Sequence, residues 1–292
     1  MEIFKPTKIG NVSLSSPLIL APMSGVTTSP FRRLIKELNP DVLGLVITEF
    51  ISVEGLTRDS RRSKEMMKFN AMERPFGIQI FGYDIARMND AAKMAEDHGA
   101  DLVDINCGCP APKVVKKGGG CELMRHPSHL QKMFNTVRKS LKIPLTMKMR
   151  SGWDEESKNC LEIAKMVEGE GLDAITIHGR TRAQLYRGEA DWDIVKNVVD
   201  EIKIPVFGSG DVVDRDSAIT RISHSGVRGV FIGRAAISNP YVFTEILKGE
   251  SKNIRQNESE MLKIVKRYAE LLQEDFPPTS CVGRIKQLVS QM

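Results

Sequence analysis

Residues 101–125 read Asp-Leu-Val-Asp-Ile-Asn-Cys-Gly-Cys-Pro-Ala-Pro-Lys-Val-Val-Lys-Lys-Gly-Gly-Gly-Cys-Glu-Leu-Met-Arg. The first part of this stretch is apolar and β-prone, and it breaks at residues 107–110 (Cys-Gly-Cys-Pro), which are residue types of a loop. A buried strand is therefore predicted to end in a thiol. In an α/β barrel the carboxyl ends of the strands form the active-site face, so Cys109 is the candidate catalytic residue.

Two other interpretations of the thiol need weighing. A free cysteine is more often a small buried hydrophobe than a reactive group. Cys107 and Cys109 lack the Cys-x2-Cys partner or histidine pair of a zinc or iron–sulfur site, which disfavours a metal centre. The loop that follows carries Lys113, Lys116, Lys117 and three consecutive glycines. A cationic, glycine-rich loop beside a fixed thiol favours an anionic substrate over a core position.

Length and composition bound the class of protein. The chain has 292 residues, 41% of them hydrophobic, which fits one α/β barrel of about 250 residues with a short appendage. The formal charge of +5 is mild and does not by itself indicate nucleic acid. Five cysteines without a framework spacing favour a reducing compartment. No run approaches roughly 18 apolar residues and the N-terminus lacks a signal-peptide core, so a soluble cytoplasmic protein is predicted.

Strand-like runs alternate with helix-like runs along most of the chain. Strands are predicted at 17–21, 42–48, 76–81, a run ending at 106, 144–149, 174–178, 205–208 and 229–232, and helices at 30–38, 84–98, from 127, 155–170, 193–201 and 214–225. This alternation predicts an α/β fold, a parallel (β/α)8 TIM barrel. An open doubly wound sheet is the alternative, but the first strand is not followed by a Gly-x-Gly-x-x-Gly turn.

The pattern changes after residue 241. Residues 251–259 are polar and predict a linker, and helical spacing returns at 261–276 and 281–289. The predicted organisation is a catalytic barrel at 1–243 and a small all-helical C-terminal domain at 244–292. Two helices cannot enclose much core alone, so we expect them to pack on the barrel unless the chain is incomplete.

Polar side chains near the ends of the other strands supply the predicted pocket. Strand three carries Gln79, strand five carries Lys148, and strand six ends at His178, followed by Arg180 and Arg182. A lysine in an apolar strand is costly unless it meets an anion. A lone histidine is often a hydrogen-bonded core residue, but the flanking glycine and arginines favour a pocket position.

Strands seven and eight end in glycine-rich loops, Gly-Ser-Gly-Asp at 208–211 and Gly-Arg at 233–234. Loops at this position of a barrel commonly hold a phosphate, because glycines let backbone N–H groups approach and arginine pairs with the charge. Tight turns with a solvated arginine are the alternative. With a lysine and a glutamine opposite, and a Pro-Met wall at 22–23, the set describes a pocket for flavin mononucleotide (FMN).

Six motifs in order carry a family resemblance: Ala-Pro-Met-Ser-Gly-Val-Thr at 21–27 with Phe-Arg at 31–32, Gln-Ile-Phe-Gly at 79–82, Asp-Ile-Asn-Cys-Gly-Cys-Pro at 104–110, Lys-Met-Arg-Ser-Gly-Trp at 148–153, His-Gly-Arg-Thr-Arg at 178–182 and Ile-Gly-Arg-Ala-Ala at 232–236. On these the chain resembles the tRNA-dihydrouridine synthase family of flavoenzymes, most closely its bacterial B-type branch, from residue 17 to 241. It departs at Ser209, where the family has asparagine, and in a shorter C-terminal helical bundle.

The resemblance implies reduction of the C5=C6 bond of a specific tRNA uridine to 5,6-dihydrouridine, using FMN and NADPH or NADH. Hydride passes from reduced flavin to C6 and Cys109 donates the proton to C5. The cofactor-binding residues it implies are Pro22, Met23, Ser24, Gln79, Lys148, His178, Ser209, Gly210, Asp211, Gly233 and Arg234. The substrate-binding residues are Asn106, Glu49, Lys116, Lys117, Arg150, Arg180 and Arg182. The resemblance implies no metal and no membrane, and it implies a monomer whose partner is tRNA.

The residues agree with that chemistry. A thiol with an ordinary pKa of about 8.5 is mostly protonated at pH 7 and can act as an acid. A base inside folded RNA must be turned out to reach such a site. Two other functions remain: an FMN barrel for a free pyrimidine, disfavoured by the arginine-rich loops and helical tail, and a catalytically idle RNA-binding barrel, disfavoured by Cys109 and Lys148.

Overall fold

The apolar runs form a closed parallel barrel in this computed structural model, which describes residues 3–252 and 256–292. The strands are β1 (Thr7–Ile9), β2 (Val12–Leu14), β3 (Leu18–Leu20), β4 (Leu45–Ile47), β5 (Ile51–Ser52), β6 (Phe76–Phe81), β7 (Leu102–Cys107), β8 (Leu145–Arg150), β9 (Ala174–His178), β10 (Val206–Ser209) and β11 (Gly229–Ile232). Strands β3, β4 and β6 to β11 make the barrel, which β4 closes on β6. Within the described residues this confirms the predicted (β/α)8 TIM barrel.

Helices cover the outside of the barrel. They are α1 (Ser29–Leu38), α2 (Val53–Thr57), α3 (Arg61–Met67), α4 (Ile85–Asp97), α5 (Pro112–Val115), α6 (Pro127–Ser140), α7 (Cys160–Gly169), α8 (Trp192–Glu201), α9 (Arg215–Ser225), α10 (Arg234–Ser238), α11 (Val242–Lys248), α12 (Glu258–Asp275) and α13 (Pro278–Val289). Asp84 caps α4 as predicted, accepting the Arg87 N–H at 2.8 Å. The prediction for α7 began five residues too early, because Asp154 accepts the Ser157 N–H and hydroxyl and so forms a turn there.

The barrel has two separate hydrophobic layers. The inner one lies inside the strands and includes Ile19, Phe207 and Phe231, while the larger outer one lies between strands and helices. An N-terminal hairpin, β1 paired with β2, was not predicted from the sequence. Its Ile9 and Leu14 join the inner layer, whose members include residues at the beginnings of the strands. The hairpin therefore closes the amino-terminal end of the barrel.

Of the two C-terminal helices, α12 packs on α1 and α13 packs on α12. Tyr268 of α12 meets Phe31 edge to face at 6.2 Å, and Arg267 pairs with Glu37 at 2.8 Å. Tyr268 and Phe31 belong to the same hydrophobic layer. The predicted domain boundary at 243/244 falls inside α11, and α12 begins at Glu258. The predicted linker at 251–259 includes residues 253–255, which lie outside the described residues.

No helix in the described part of the chain is long and apolar enough to cross a membrane.

Candidate active site

Strand register gathers the predicted residues at one end of the barrel. Asn106 of β7 lies beside Lys148 of β8, Arg150 lies beside His178 of β9, and His178 lies beside Ser209 of β10. Because parallel strands present their carboxyl ends at the same edge, these side chains share the mouth of the barrel.

A cavity of about 850 Å³ opens at this mouth, a size usual for a cofactor site. Its lining includes most of the predicted cofactor-binding residues, namely Pro22, Met23, Lys148, His178, Ser209, Gly210, Asp211, Gly233 and Arg234. Ser24 and Gln79 are not in that lining. Ser24 is exposed on the loop after β3, and Gln79 is wholly buried inside the barrel.

The loops after β10 and β11 suit the phosphate end of a flavin. Gly210 has φ +117°, and a Cβ there would lie 2.7 Å from the Ala190 Cβ, so only glycine fits. Arg234, 61% exposed, is the cation beside these loops, and the nearest anion to it is the Asp211 carboxylate at 3.8 Å. Close backbone approach and an available guanidinium are the features that bind a phosphate group.

Lys148 is the cation on the opposite wall of the cavity. Among the described residues it makes no ion pair. Burial lowers its pKa to about 8, as does the neighbouring Arg150, whereas the Asp104 carboxylate opposes the shift. The ammonium is thus still charged at pH 7. A largely buried, unpaired cation on a cavity wall fits an electron-rich ligand edge.

His178 is neutral in this environment. Burial holds the pKa of its imidazole well below the usual value, and Lys148, Arg150 and other nearby cations lower it further. Its Nε2 faces the Arg180 Nη1 at 3.4 Å. The ring can therefore exchange hydrogen bonds with a cavity ligand without adding charge.

Arg180, one of the predicted substrate-binding residues, ties two loops together. It is 2% exposed, and its Nη2 donates to both oxygens of Asp211 at 2.8 and 2.7 Å. Burial raises the pKa of Asp211, but hydrogen bonds from Ala190 N–H and Arg180 outweigh it and hold that pKa below its usual value. The pair joins the β9 and β10 loops.

Arg150 is also 2% exposed, which does not fit a contact with the tRNA backbone. Its Nε donates to the Gly108 carbonyl at 3.1 Å, and its Nη1 donates to the carbonyls of Thr181 and Leu185, each at 2.8 Å. Its Nη2 has no partner among the described residues. Arg150 thus braces the Cys109 loop against the β9 loop and keeps one donor free near the mouth.

Cys109 is half-buried on the loop after β7, while the chain's other four cysteines are buried. Burial raises the pKa of its thiol, against smaller opposing effects of the Ala111 backbone and Arg150. The thiol is therefore protonated at pH 7. Asn106 Oδ1 accepts the N–H groups of Cys109 at 2.9 Å and Gly108 at 3.2 Å, which fixes the loop.

A buried polar chain lies beneath this loop. Gln79 Oε1 accepts from Asn106 Nδ2 at 2.7 Å, and Gln79 Nε2 donates to Asp104 Oδ2 at 2.6 Å. Asp104 was missed by the sequence analysis, although its place two residues before Asn106, on the same face of the strand, was a signal. Burial raises the pKa of Asp104 to about 6, opposed by hydrogen bonds from Gln79 and Thr146.

The remaining predicted residues lie around the rim. Glu49 accepts the N–H of Gly25 and so holds the β3 loop that carries Met23. Lys116 and Lys117 are exposed after α5. Among the described residues, no hydrogen bond or ion pair joins any of these three side chains to Cys109.

Arg182 is half-buried beside Trp153, which the sequence analysis did not weigh as a site residue. The guanidinium carbons of Arg182 and Arg125 lie 4.6 and 4.7 Å from the Trp153 ring centre. The Nε of Arg182 is buried without a hydrogen-bond partner among the described residues. A guanidinium without an acceptor suits an anionic ligand.

Comparisons with known proteins point to one family. Residues 19–289 match the family model described as dihydrouridine synthase (Dus). A probable tRNA-dihydrouridine synthase of Rickettsia bellii (strain RML369-C) is 41% identical over 266 residues, 89% of this chain and 81% of the relative. The tRNA-dihydrouridine synthase B of Pseudomonas putida (strain KT2440) is 40% identical over 239 residues, which are 82% of this chain and 70% of the relative.

Solved structures support the fold alone. A 2-naphthoyl-CoA reductase superposes with a TM-score of 0.67 at 17% identity, covering 85% of this chain and 52% of that one. The histamine dehydrogenase of Rhizobium sp. 4-9 superposes with a TM-score of 0.65 at 15% identity, and the match covers 85% of this chain and 48% of that one.

The predicted resemblance is thereby confirmed, and with it a flavin cofactor and the formation of dihydrouridine in tRNA. Neither alternative, reduction of a free pyrimidine or an idle RNA-binding barrel, is the activity for which these relatives are named. The chain belongs to the dihydrouridine synthase family.

Proposed function

We propose that the chain reduces a tRNA uridine with FMN as its flavin and NADPH or NADH as the reductant, and that Cys109 is the general acid. The observation that carries the proposal is the Cys109 thiol. It is half-buried, it is protonated at neutral pH, and it follows a strand whose Asn106 lies beside Lys148.

FMN fits the cavity at both ends. The phosphate would be held by the loops at Gly210 and Gly233, with Arg234 supplying charge, and the ring system would meet Met23 and Lys148. Ser209, where the family has asparagine, lines the same wall with its hydroxyl. When bound and reduced, the flavin supplies the hydride that reaches C6 of the uracil.

The protein's own groups complete the reaction. Hydride at C6 leaves negative charge at C5, and the Cys109 Sγ–H donates the proton that quenches it. The resulting thiolate regains a proton from solvent, so the bond receives one hydride and one proton. The Lys148 ammonium offsets negative charge at the ring edge, as fixed charges do where charge develops.

Purified protein should be yellow, and the flavin released on denaturation should have the mass of FMN. A colourless protein that FMN cannot reconstitute contradicts the cofactor assignment. In Cys109→Ala, flavin content and flavin reduction by NADPH should persist while uridine reduction falls by roughly 10²- to 10⁴-fold, the usual worth of general acid catalysis.

The matched control is Cys281→Ala, which removes a buried thiol of α13 that hydrogen-bonds the Phe276 and Pro277 carbonyls. It should reduce uridine at the wild-type rate per folded molecule. Near-normal turnover in Cys109→Ala would transfer the acid role to Cys107 or another group.

The tRNA would approach over the rim, since the target base must be turned out of the RNA to reach Cys109. Lys116, Lys117 and Arg182 are the exposed or unpaired cations proposed to contact its phosphates. Arg150 and Arg180 act by holding loops rather than by contacting the backbone.

A further inference from the structure

The chain of hydrogen bonds buried beneath the Cys109 loop has a direction, because each amide in it accepts on one side and donates on the other. It runs from Asp104 through Gln79 and Asn106 to the Cys109 backbone, with distances of 2.6, 2.7 and 2.9 Å. Asp104 is 1% exposed, Gln79 is 0% and Asn106 is 7%, so water does not reach these groups to replace a lost bond.

The direction can be read from the Cys109 end. A backbone N–H can only donate, so the Asn106 group that faces it must be the carbonyl oxygen. The Asn106 amide nitrogen then faces Gln79, which must present its own oxygen. The Gln79 nitrogen is left to face Asp104, which must accept.

The hydrogen bonds at the Asp104 end of the chain require the same direction. The Thr146 hydroxyl donates to one oxygen of Asp104 at 2.6 Å, and Gln79 donates to the other. An ionised carboxylate has only acceptors, so Gln79 cannot reverse its amide without facing oxygen with oxygen. Amides can otherwise turn over, and an acceptor-only end removes that freedom.

We infer that Asp104 is a positioning residue: its acceptor-only carboxylate fixes the buried end of the hydrogen-bond chain in the one direction that the Gly108 and Cys109 N–H groups require, and so helps to hold the Cys109 backbone in place. Asp104 touches no reacting atom and acts through Gln79 and Asn106. The catalytic consequence rests on the proposed role of Cys109 as acid, whereas the structural consequence does not.

Asp104→Asn tests the inference because it keeps the size of the side chain and adds a donor. An asparagine at 104 tolerates either orientation of Gln79, so only the Gly108 and Cys109 N–H groups still oppose turning over Gln79 and Asn106 together, and the Cys109 backbone is held less firmly. Amide hydrogen exchange at Gly108 and Cys109 should speed up about ten-fold or more. Flavin reduction by NADPH should stay normal, and reoxidation by tRNA should slow.

Thr146→Val is the matched control. It removes the other donor to Asp104, and at a pH well above the pKa of that carboxyl group Asp104 stays ionised and acceptor-only, so the direction of the hydrogen-bond chain is kept. Exchange at Gly108 and Cys109 should stay within about three-fold of wild type. Wild-type exchange in Asp104→Asn would overturn the inference.

The double variant Asp104→Asn with Asn106→Asp separates direction from packing. The asparagine at 104 would donate to Gln79, Gln79 would donate to the new carboxylate at 106, and that carboxylate would still accept the Cys109 N–H. Protection of Cys109 should return, even if the single variant at 104 does not fold. A double variant that exchanges as fast as Asp104→Asn, or that also fails to fold, overturns the inference.

These outcomes are independent of the acid assignment. If Cys109→Ala keeps normal uridine reduction, the proposed function fails while the exchange measurements stand. If exchange is unchanged in Asp104→Asn, the positioning role fails while Cys109 remains the acid.

Discussion

The two halves of the barrel interior are built differently. On β3, β4, β10 and β11 most of the inward side chains are aliphatic or aromatic, for example Ile19, Leu45 and Phe207, each fully buried, whereas Ser209 at the mouth is polar. On β6 to β9 most of the corresponding positions carry polar or charged groups, with Gln79, Asp104 and Thr176 among them. The apolar half is stabilised by burial alone. The polar half costs stability unless every group finds a partner, and the proposed acid is attached to that half.

The contrast explains the division of labour at the mouth. The apolar half ends in the glycine-rich loops after β10 and β11, which leave space for a ligand. The polar half ends in the Cys109 loop, which is held by side-chain hydrogen bonds from below. Binding space and positioned chemistry thus come from different strands.

Phe207→Ala should give the largest effect on stability. Phe207 is fully buried in the inner layer, 5.9 Å from the Phe231 ring, and truncating a buried phenylalanine costs about 3–5 kcal/mol. Chemical denaturation should show that loss in the free energy of unfolding, while turnover per folded molecule changes little. A loss below about 1 kcal/mol would mean that the apolar half does not hold the barrel.

Lys148→Met should have the opposite profile. Removing a fixed charge at a site of developing charge typically costs 10²- to 10³-fold in rate, about 3–4 kcal/mol, so uridine reduction should fall by that order. Stability at pH 7 should be equal or higher, because a buried charge is lost. Turnover and urea unfolding of the same preparation check both.

Lys148 also has a pH signature. Its folded pKa of about 8 is below its usual 10.5, so the charged form is penalised in the folded state. The penalty is complete below pH 8 and disappears as pH rises to about 10.5, so wild-type stability should gain over this window relative to Lys148→Met. If the free energies of unfolding of wild type and Lys148→Met differ by the same amount at every pH in that range, the charge of Lys148 is not penalised by burial.

The pH dependence of stability that Asp104 contributes should have the opposite sign. Its folded pKa of about 6 is above the usual 3.8, so the relative stabilisation is present below pH 4 and is lost as pH rises through 6. Over this pH range the contribution of Asp104 to the free energy of unfolding changes by about 3 kcal/mol at most. Asp104→Asn should lack this slope, which urea titrations between pH 4 and 7 would measure.

Much of this molecule could be predicted from local pattern. The strand Phe76–Phe81 and the cap at Asp84 were predicted because apolar runs and capping residues are local signals. The burial of Arg150 and Arg180 was not, because their partners are carbonyls and a carboxylate on other loops. The role of Asp104 needed strand register, which sequence periodicity does not supply.

The smallest effect expected is at the rim, outside both halves of the interior. Lys116 and Lys117 are exposed on the loop that follows the polar half, and we expect them to contact tRNA phosphates. Replacing both with Ala should leave flavin content unchanged and weaken tRNA binding. The slope of log affinity against log salt should flatten by up to about two if each lysine neutralises one phosphate.

The matched control is Lys142→Ala with Lys203→Ala. These lysines are also exposed, and they precede β8 and β10, so they lie at the amino-terminal end of the barrel, away from the mouth. The control loses the same net charge, so a general loss of attraction would weaken both double variants alike. Filter binding at several salt concentrations should flatten the slope only for the pair at 116 and 117. Equal slopes in wild type and both double variants would mean that Lys116 and Lys117 are only solvated, and that tRNA is held by other rim groups such as Arg182 and Arg125.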